Sequence, residues 1–144
     1  MPRINSMREA GLELMFAQYH AAYKWKGNSV LQDDGVDCSG SIVSMLRDLQ
    51  MIGPKEDYAS FQLAEKYPTT TRLREGNLVY YKRGVGIRHV EMIAGFWDGH
   101  WWTIGASGGT SETDTREEAE ALDARMKLKP MVNGWVKIND PFGD

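Results

Sequence analysis

The sequence has 144 residues, with 17 Lys+Arg against 20 Asp+Glu and a formal net charge of −3. This length predicts a single domain over residues 1–144, and the negative charge argues against the broad cationic surface that nucleic-acid binding requires. With 42% hydrophobic residues and 5 prolines, the composition is that of a folded globular protein and excludes disordered and fibrous classes.

The cysteine and histidine content limits the chemistry, since the chain has one cysteine and three histidines. One cysteine excludes an intrachain disulfide framework, and the histidines lack the spacing of zinc ligands, so we expect no metal and no cofactor. No apolar run resembles a secretion signal or a membrane span. We therefore expect synthesis in the cytoplasm, with delivery by lysis, a phage particle or a secretion machine.

The first half of the chain is predicted to be helical. Ser6 and Glu9 have the spacing of a capping box, which predicts a helix from there to about residue 24. Its apolar stripe consists of Leu12, Met15, Phe16, Tyr19 and Tyr23. Two further helices are predicted over residues 38–51 and 60–66. The stripe of the longer one consists of Ile42, Met45, Leu46 and Leu49.

From residue 77 onward the periodicity changes to that of strands. Residues 78–82, 89–94 and 101–106 are predicted to form an antiparallel meander, since turn signals separate them.

The C-terminal part is predicted to return to the sheet. Thr115 and Glu118 predict a helix that ends near residues 125–127, and a last hairpin is predicted between residues 127–130 and 135–138. Helices segregated from strands indicate an α+β fold.

Cys38 and His89 are the main candidates for chemistry. Cys38 lies at a predicted helix N-terminus, where free N–H groups stabilise a thiolate, and on the inward face of that helix. His89 opens a predicted central strand, which can bring its imidazole within hydrogen-bond reach of the thiol. A lone cysteine is more often inert packing than a nucleophile, so spacing alone leaves both interpretations open.

Three blocks of sequence around these candidates match one known pattern. The first block combines YKWKG at residues 23–27 with GVDCSG at 35–40, the second is EGNLVYY at 75–81, and the third is HV with IAG at 89–95. In this order they resemble the Y-x-W/Y-G-G and G-V-D-C-S-G nucleophile region, the G-D-L-V-x-F strand and the H-V-G-I-Y-x-G strand of the NlpC-type family of papain-like cell-wall peptidases. The resemblance runs from about residue 23 to residue 109.

The resemblance implies a papain-like fold, with N-terminal helices packed on a central antiparallel sheet of about five strands. It implies a cysteine endopeptidase that hydrolyses amide bonds in peptidoglycan stem peptides, the D-γ-glutamyl to diamino-acid bond being favoured. Cys38 would be the nucleophile, and His89 the base that takes its proton and returns one to the leaving amine.

Three further residues match family positions near the nucleophile. Tyr23 matches a tyrosine whose hydroxyl assists the oxyanion or the substrate. Asp37 and Ser39 match positions that in some members help to bind the free amino end of the stem peptide. The structural alternatives are that Tyr23 packs in the core and that Asp37 caps the helix.

Gly105 departs from the family pattern. Family members usually carry a polar third residue there, most often histidine, and glycine has no side chain to orient an imidazole. Glu91 lies two residues after His89 on the same face of the strand, so we predict that its carboxylate takes that role. A backbone carbonyl, a water molecule and Ser107 are the alternatives.

Two other functions remain open at this point. One is a catalytically idle wall-binding or structural component of a phage tail or secretion device with the same fold, favoured by the glycine at position 105. The other is an amidase or acyltransferase of the broader papain-like group. The segments at residues 104–110 and 140–142 also resemble phage- or prophage-encoded members.

Overall fold

A computed structural model of the chain describes residues 6–19, 27–29, 35–107 and 116–143. The helices in these ranges are α1 (Met7–Ala17), α2 (Cys38–Asp48), α3 (Ser60–Lys66) and α4 (Arg116–Ala121). The strands are β1 (Asn28–Ser29), β2 (Gly35–Val36), β3 (Thr69–Thr70), β4 (Leu78–Arg83), β5 (Gly86–Trp97), β6 (His100–Ser107), β7 (Arg125–Pro130) and β8 (Lys137–Asn139). No helix in this part of the chain is long and apolar enough to cross a bilayer.

Six of the strands form one antiparallel sheet in the order β3-β8-β4-β5-β6-β7, and β1 pairs with β2 separately. The predicted meander is confirmed, because β4 pairs with β5 and β5 with β6. The α+β fold is confirmed as well. The sheet has six strands instead of about five, since β3 adds a two-residue pairing with β8.

The helices cover one face of this sheet. The stripe predicted for α2 is confirmed, because Ile42, Met45 and Leu46 are buried and Leu49 is partly buried. They pack with alternate residues of the central strands, among them Tyr80, Val90, Met92 and Ile104. Side chains alternate between the faces of a strand, so His89 and Glu91 lie on the opposite face, which has its own small cluster of Val79, Ile93 and Ile138.

Helix α1 begins where predicted but buries a different side. The Ser6 hydroxyl accepts a hydrogen bond from the Glu9 amide at 3.1 Å, as a cap should. The helix ends at Ala17, well before residue 24, and its buried residues are Arg8, Gly11 and Met15. The predicted stripe is therefore wrong at Phe16 and Tyr19, which are exposed, while Tyr23 lies outside the described residues.

The buried side of α1 follows from contacts with distant parts of the chain. Arg8 donates to Asn77 Oδ1 and to both carboxylate oxygens of Asp140, each at 2.8 Å, and to the Glu75 carbonyl at 2.9 Å. A Cβ at position 11 would lie 2.8 Å from Cζ of Phe142, so only glycine fits there without movement. These contacts tie α1 to the start of β4 and to the residues after β8.

The C-terminal predictions require correction. Helix α4 ends at Ala121, and Arg125 and Lys127 belong to β7 instead of to a helix end. The predicted final hairpin is wrong, because β7 pairs with β6 whereas β8 pairs with β4. Pairing with β6 from Trp102 to Ser107 gives β7 more hydrogen bonds than a short hairpin with β8 would.

Candidate active site

Cys38 is the first residue of α2, and its side chain is partly exposed. The preceding Asp37 caps the helix, since its carboxylate accepts a hydrogen bond from the Gly40 amide at 2.6 Å. The Ser39 hydroxyl donates to the same carboxylate oxygen at 3.3 Å. Asp37 therefore has the geometry of a helix cap, which was the structural alternative for this residue. The cap fixes the start of α2, so that the thiol of Cys38 lies beside the free amides of the first turn.

A β-bulge meets α2 at the thiol. Tyr81 pairs with His89 and Lys82 pairs with Ile87, so Arg88 is an extra residue in β5. The sulfur of Cys38 lies 3.8 Å from the carbonyl oxygen of this bulged residue. Bulges commonly redirect side chains near active sites, and this one lets an imidazole on the face away from the helices approach a thiol that comes from the helical side.

The imidazole of His89 is held between the thiol and a carboxylate. Its Nε2 lies 2.8 Å from Oε2 of Glu91, and the two residues are only 6% and 1% exposed. Burial lowers the pKa of His89, but the hydrogen bonds and charges of Cys38 and Glu91 outweigh burial and raise that pKa from 6.5 to about 9. The imidazole therefore carries a proton at neutral pH. Since Nε2 faces Glu91, Nδ1 is the ring nitrogen left for the thiol.

The buried carboxylate of Glu91 is fully engaged by neighbouring strands. Thr103 in β6 donates its hydroxyl to Oε1 at 2.9 Å, and Lys129 in β7 places Nζ 3.0 Å from Oε2. Burial raises the pKa of Glu91, but the hydrogen bonds and positive charges of His89 and Lys129 lower it from 4.5 to about 2. The carboxylate stays ionised because its charge is paired inside the protein.

Gly105 is the residue that makes room for this carboxylate. A Cβ at position 105 would lie 3.0 Å from Cγ, 3.3 Å from Cβ and 3.4 Å from Cα of Glu91. The glycine that replaces the usual polar residue of the family pattern therefore accompanies a glutamate on the adjacent strand. Of the alternatives for the partner of Nε2, the carboxylate of Glu91 is the group in contact with it.

Three residues of the site were missed at the level of sequence. Tyr81 places its ring 5.8 Å from the imidazole of His89, and Thr103 and Lys129 hold Glu91. Strand alternation could have placed Thr103 on the face of Glu91. The contact of Lys129 could not be predicted, because the sequence pattern pairs β7 with β8 instead of with β6. Tyr23 lies outside the described residues, and within them no group of three acidic, His or Cys side chains could hold a metal ion.

Comparison with known proteins gives one family and one fold. The NlpC/P60 family model matches residues 20–122, which confirms the resemblance drawn from the three sequence segments, whereas no curated protein sequence matches. The P60 domain of antigen MAP1204 from M. avium subspecies paratuberculosis is 21% identical, with a TM-score of 0.68 over 96% of each chain.

Two other solved structures differ in what they do. RipD from Mycobacterium tuberculosis, a non-catalytic NlpC/p60 domain protein adapted to peptidoglycan binding, is 15% identical, with a TM-score of 0.64 over 94% of this chain and 98% of that one. The NlpC/p60 domain of the peptidoglycan hydrolase SagA is 13% identical, with a TM-score of 0.64 over 95% and 99%. At these identities the similarity establishes the shared fold.

Proposed function

The chain belongs to the NlpC/P60 family, and from that membership we propose that it is a cysteine endopeptidase acting on peptidoglycan stem peptides. Membership alone does not decide between cleavage and binding, because the similar structures include both a hydrolase and a non-catalytic wall-binding protein. The observation that supports cleavage is the position of the His89 imidazole, which lies between the thiol of Cys38 and the buried carboxylate of Glu91.

The first half of the reaction forms a thioester. Cys38 attacks as its thiolate, the reactive form of cysteine, which the free amides at the start of α2 and the neighbouring imidazole of His89 favour. The sulfur attacks the carbonyl carbon of the scissile amide and forms a tetrahedral intermediate. His89 then donates its proton to the amide nitrogen, the C–N bond breaks, and the amine leaves while the acyl group stays on Cys38.

The second half releases the acyl group. The neutral imidazole of His89 takes a proton from a water molecule, whose oxygen attacks the thioester carbon. Breaking the C–S bond liberates the carboxylic acid and returns the sulfur as a thiolate beside the protonated imidazole. One amide bond and one water molecule are consumed for each amine and acid released.

Glu91 acts through His89 and is a positioning residue. Its contact with Nε2 orients the ring so that Nδ1 faces the sulfur, and its negative charge stabilises the imidazolium. Thr103 and Lys129 restrain the carboxylate in turn, so the orientation of the ring does not depend on a mobile side chain.

We carry the finer assignments over from the family pattern. The D-γ-glutamyl to diamino-acid bond is the favoured bond, with Tyr23 assisting the oxyanion or the substrate and Ser39 and Asp37 beside the bound peptide. The protein would act on the wall after release by lysis, or after delivery by a phage particle or a secretion machine.

The second candidate function is wall binding without cleavage. It is favoured by Gly105, which lacks the polar side chain usual at that position, and by the fold shared with RipD. The contact between Glu91 and Nε2 weakens it, because an idle domain would not need a buried carboxylate aimed at the imidazole.

Digestion of purified peptidoglycan separates the two functions. We expect the wild-type protein to release new amino termini, whose position mass spectrometry of the muropeptides assigns, and Cys38→Ala to release none while keeping its circular dichroism spectrum. Thiol alkylation should abolish the activity and a chelator should leave it intact. A wild-type protein that sediments with peptidoglycan but releases no termini would establish binding and reject the hydrolase.

A further inference from the structure

A pocket of about 270 Å³ opens beside the imidazole of His89. His89 and Glu91 form part of its wall, and Lys82, Arg83, Lys129 and Asn133 line the rest. Sites for drug-sized ligands occupy about 300–1,000 Å³, so this pocket suits a single amino-acid residue and not an oligosaccharide.

We propose that this pocket is the subsite for the amine half of the substrate and that it binds a carboxylate on the leaving residue. The proposal rests on the proposed function and adds a substrate preference to it. The hydrogen bonds and ion pairs of His89 and Glu91 described above involve neither Lys82 nor Arg83. The pocket therefore contains two positive charges that have no role in the proposed mechanism.

The position of the pocket follows the direction of the reaction. His89 delivers its proton to the amide nitrogen, so the leaving amine must lie on the imidazole side of the sulfur. The pocket is lined by the imidazole, whereas Cys38 is not among its lining residues. A residue attached to the departing nitrogen would therefore extend toward this pocket, while the acyl half lies on the side of the thiol.

The charge of the pocket selects the ligand. Three cationic side chains, Lys82, Arg83 and Lys129, surround one anionic side chain, Glu91, in a protein whose net charge is −3. Lys129 is already paired with Glu91 at 3.0 Å. Within residues 6–19, 27–29, 35–107 and 116–143, no salt bridge engages Lys82 or Arg83, so their charges are available to an incoming anion.

The far wall of the pocket is held in place. The Tyr81 hydroxyl donates to the Val132 carbonyl at 2.9 Å, and the Val136 amide donates to the Tyr80 carbonyl at 2.9 Å. These two bonds secure both ends of the segment that carries Asn133 and Gly134. The side-chain amide of Asn133 adds an uncharged hydrogen-bond donor to the lining. A carboxylate has two oxygens, so it can accept from this amide and from a cationic side chain together.

The kinetic test compares two substrates that differ in one group. They are L-alanyl-γ-D-glutamyl-L-lysine and the same peptide with its terminal carboxylate as the amide. We expect the wild-type kcat/KM to favour the free acid by about tenfold, as for a charge-assisted hydrogen bond, and the Lys82→Gln/Arg83→Gln double variant to bring the ratio close to one. Lys55→Gln removes an exposed charge that does not line the pocket and should leave the ratio unchanged.

A binding measurement keeps the test independent of catalysis. Calorimetry with Cys38→Ala should show tighter binding of the acid than of the amide, and the difference should disappear when Lys82 and Arg83 are also replaced. Equal affinity for acid and amide in Cys38→Ala, or a difference that survives both replacements, would overturn the proposal. Absence of cleavage with the acid preference intact in binding would instead reject the proposed hydrolase and leave this subsite standing.

Discussion

Glu91 fills the space beside Gly105 that a side chain at position 105 would occupy, with only 3.0 Å between Cγ of Glu91 and a Cβ built on the glycine. In the H-V-G-I-Y-x-G strand of the family pattern, glycine stands where this chain has Glu91, and a polar residue usually stands where it has Gly105. The two positions have thus exchanged glycine for a polar side chain, and the group behind the imidazole now comes from the strand of His89 itself.

The exchange predicts that the two positions are coupled. Gly105→His alone should crowd Glu91, destabilise the protein by about 1–3 kcal/mol and lower kcat/KM, because overpacking forces the carboxylate from Nε2. Glu91→Gly alone should lower kcat/KM through loss of the carboxylate. The double variant Glu91→Gly/Gly105→His should recover part of the activity, since a histidine can then approach Nε2 from β6. Steady-state kinetics and urea unfolding of all three variants measure the coupling, and a double variant no better than Glu91→Gly would contradict it.

The pH profile should depend on Glu91. The charge of this carboxylate helps to raise the pKa of His89 to about 9, so the imidazole is protonated below that pH and loses its proton above it. Glu91→Gln removes the charge and should move the alkaline limb of kcat/KM to lower pH. Titration of the His89 ring by NMR checks the same shift directly. Glu65→Gln, an exposed change on α3, serves as the control, and a profile shared by both variants and the wild type would exclude the effect.

The same pair should make stability depend on pH in a defined direction. The contribution of His89 is present below pH 6.5 and is lost as the pH rises through about 9, whereas that of Glu91 is present above pH 4.5 and is lost as the pH falls toward about 2. The difference in free energy of unfolding between the wild-type protein and Glu91→Gln should therefore be largest between pH 4.5 and 6.5. Urea unfolding at pH 6 and pH 10 tests this, and an equal difference at both would contradict it.

Lys129 should protect the acid side of the profile. Its ammonium helps to hold the pKa of Glu91 at about 2, so Lys129→Met should raise that pKa and move the acid loss of activity to higher pH. Lys127→Met is a matched control, because Lys127 lies two residues away on the same strand and lies 3.8 Å from the exposed Asp123. Identical acid limbs in the two variants would show that Lys129 does not act on Glu91.

Arg8 should matter for stability and not for the reaction. Its pair with Asp140 has side-chain exposures of 4% and 19%, against 33% and 71% for the pair of Arg125 with Asp123. Asp140→Ala should cost about 3 kcal/mol, because it removes a carboxylate that pairs with a buried guanidinium, whereas Asp123→Ala should cost less than about 1 kcal/mol. Urea unfolding compares the two, and kcat of the folded fraction should be unchanged in both.

Local signals explain which elements could be predicted. Helix α2 and the β4-β5-β6 meander follow from periodicity and turns, which depend on neighbouring residues, and the motif around Cys38 identified the family. Contacts between distant segments explain the errors. Arg8 is buried because Asp140 reaches it, and β7 joins β6 because of a pairing that no local pattern records.

The candidate site also contains some residues that local patterns predict and some contacts that depend on distant segments. Cys38, His89 and Glu91 could be named from motif and alternation, since all three lie within two short segments. The support for Glu91 from Lys129 required knowing that β7 is the neighbour of β6, and the reason for Gly105 required the distance between two adjacent strands.

Strand β7 lies at one end of the strand order and carries Lys129. Edge strands fray more readily than central ones, so each opening of β7 would remove the ammonium of Lys129 from Glu91 and loosen the imidazole of His89 beside Cys38. Faster amide hydrogen exchange along residues 125–130 would then accompany slower turnover. A partner chain that added a strand beside β7 would suppress that fraying and activate the protein without contacting Cys38 or His89.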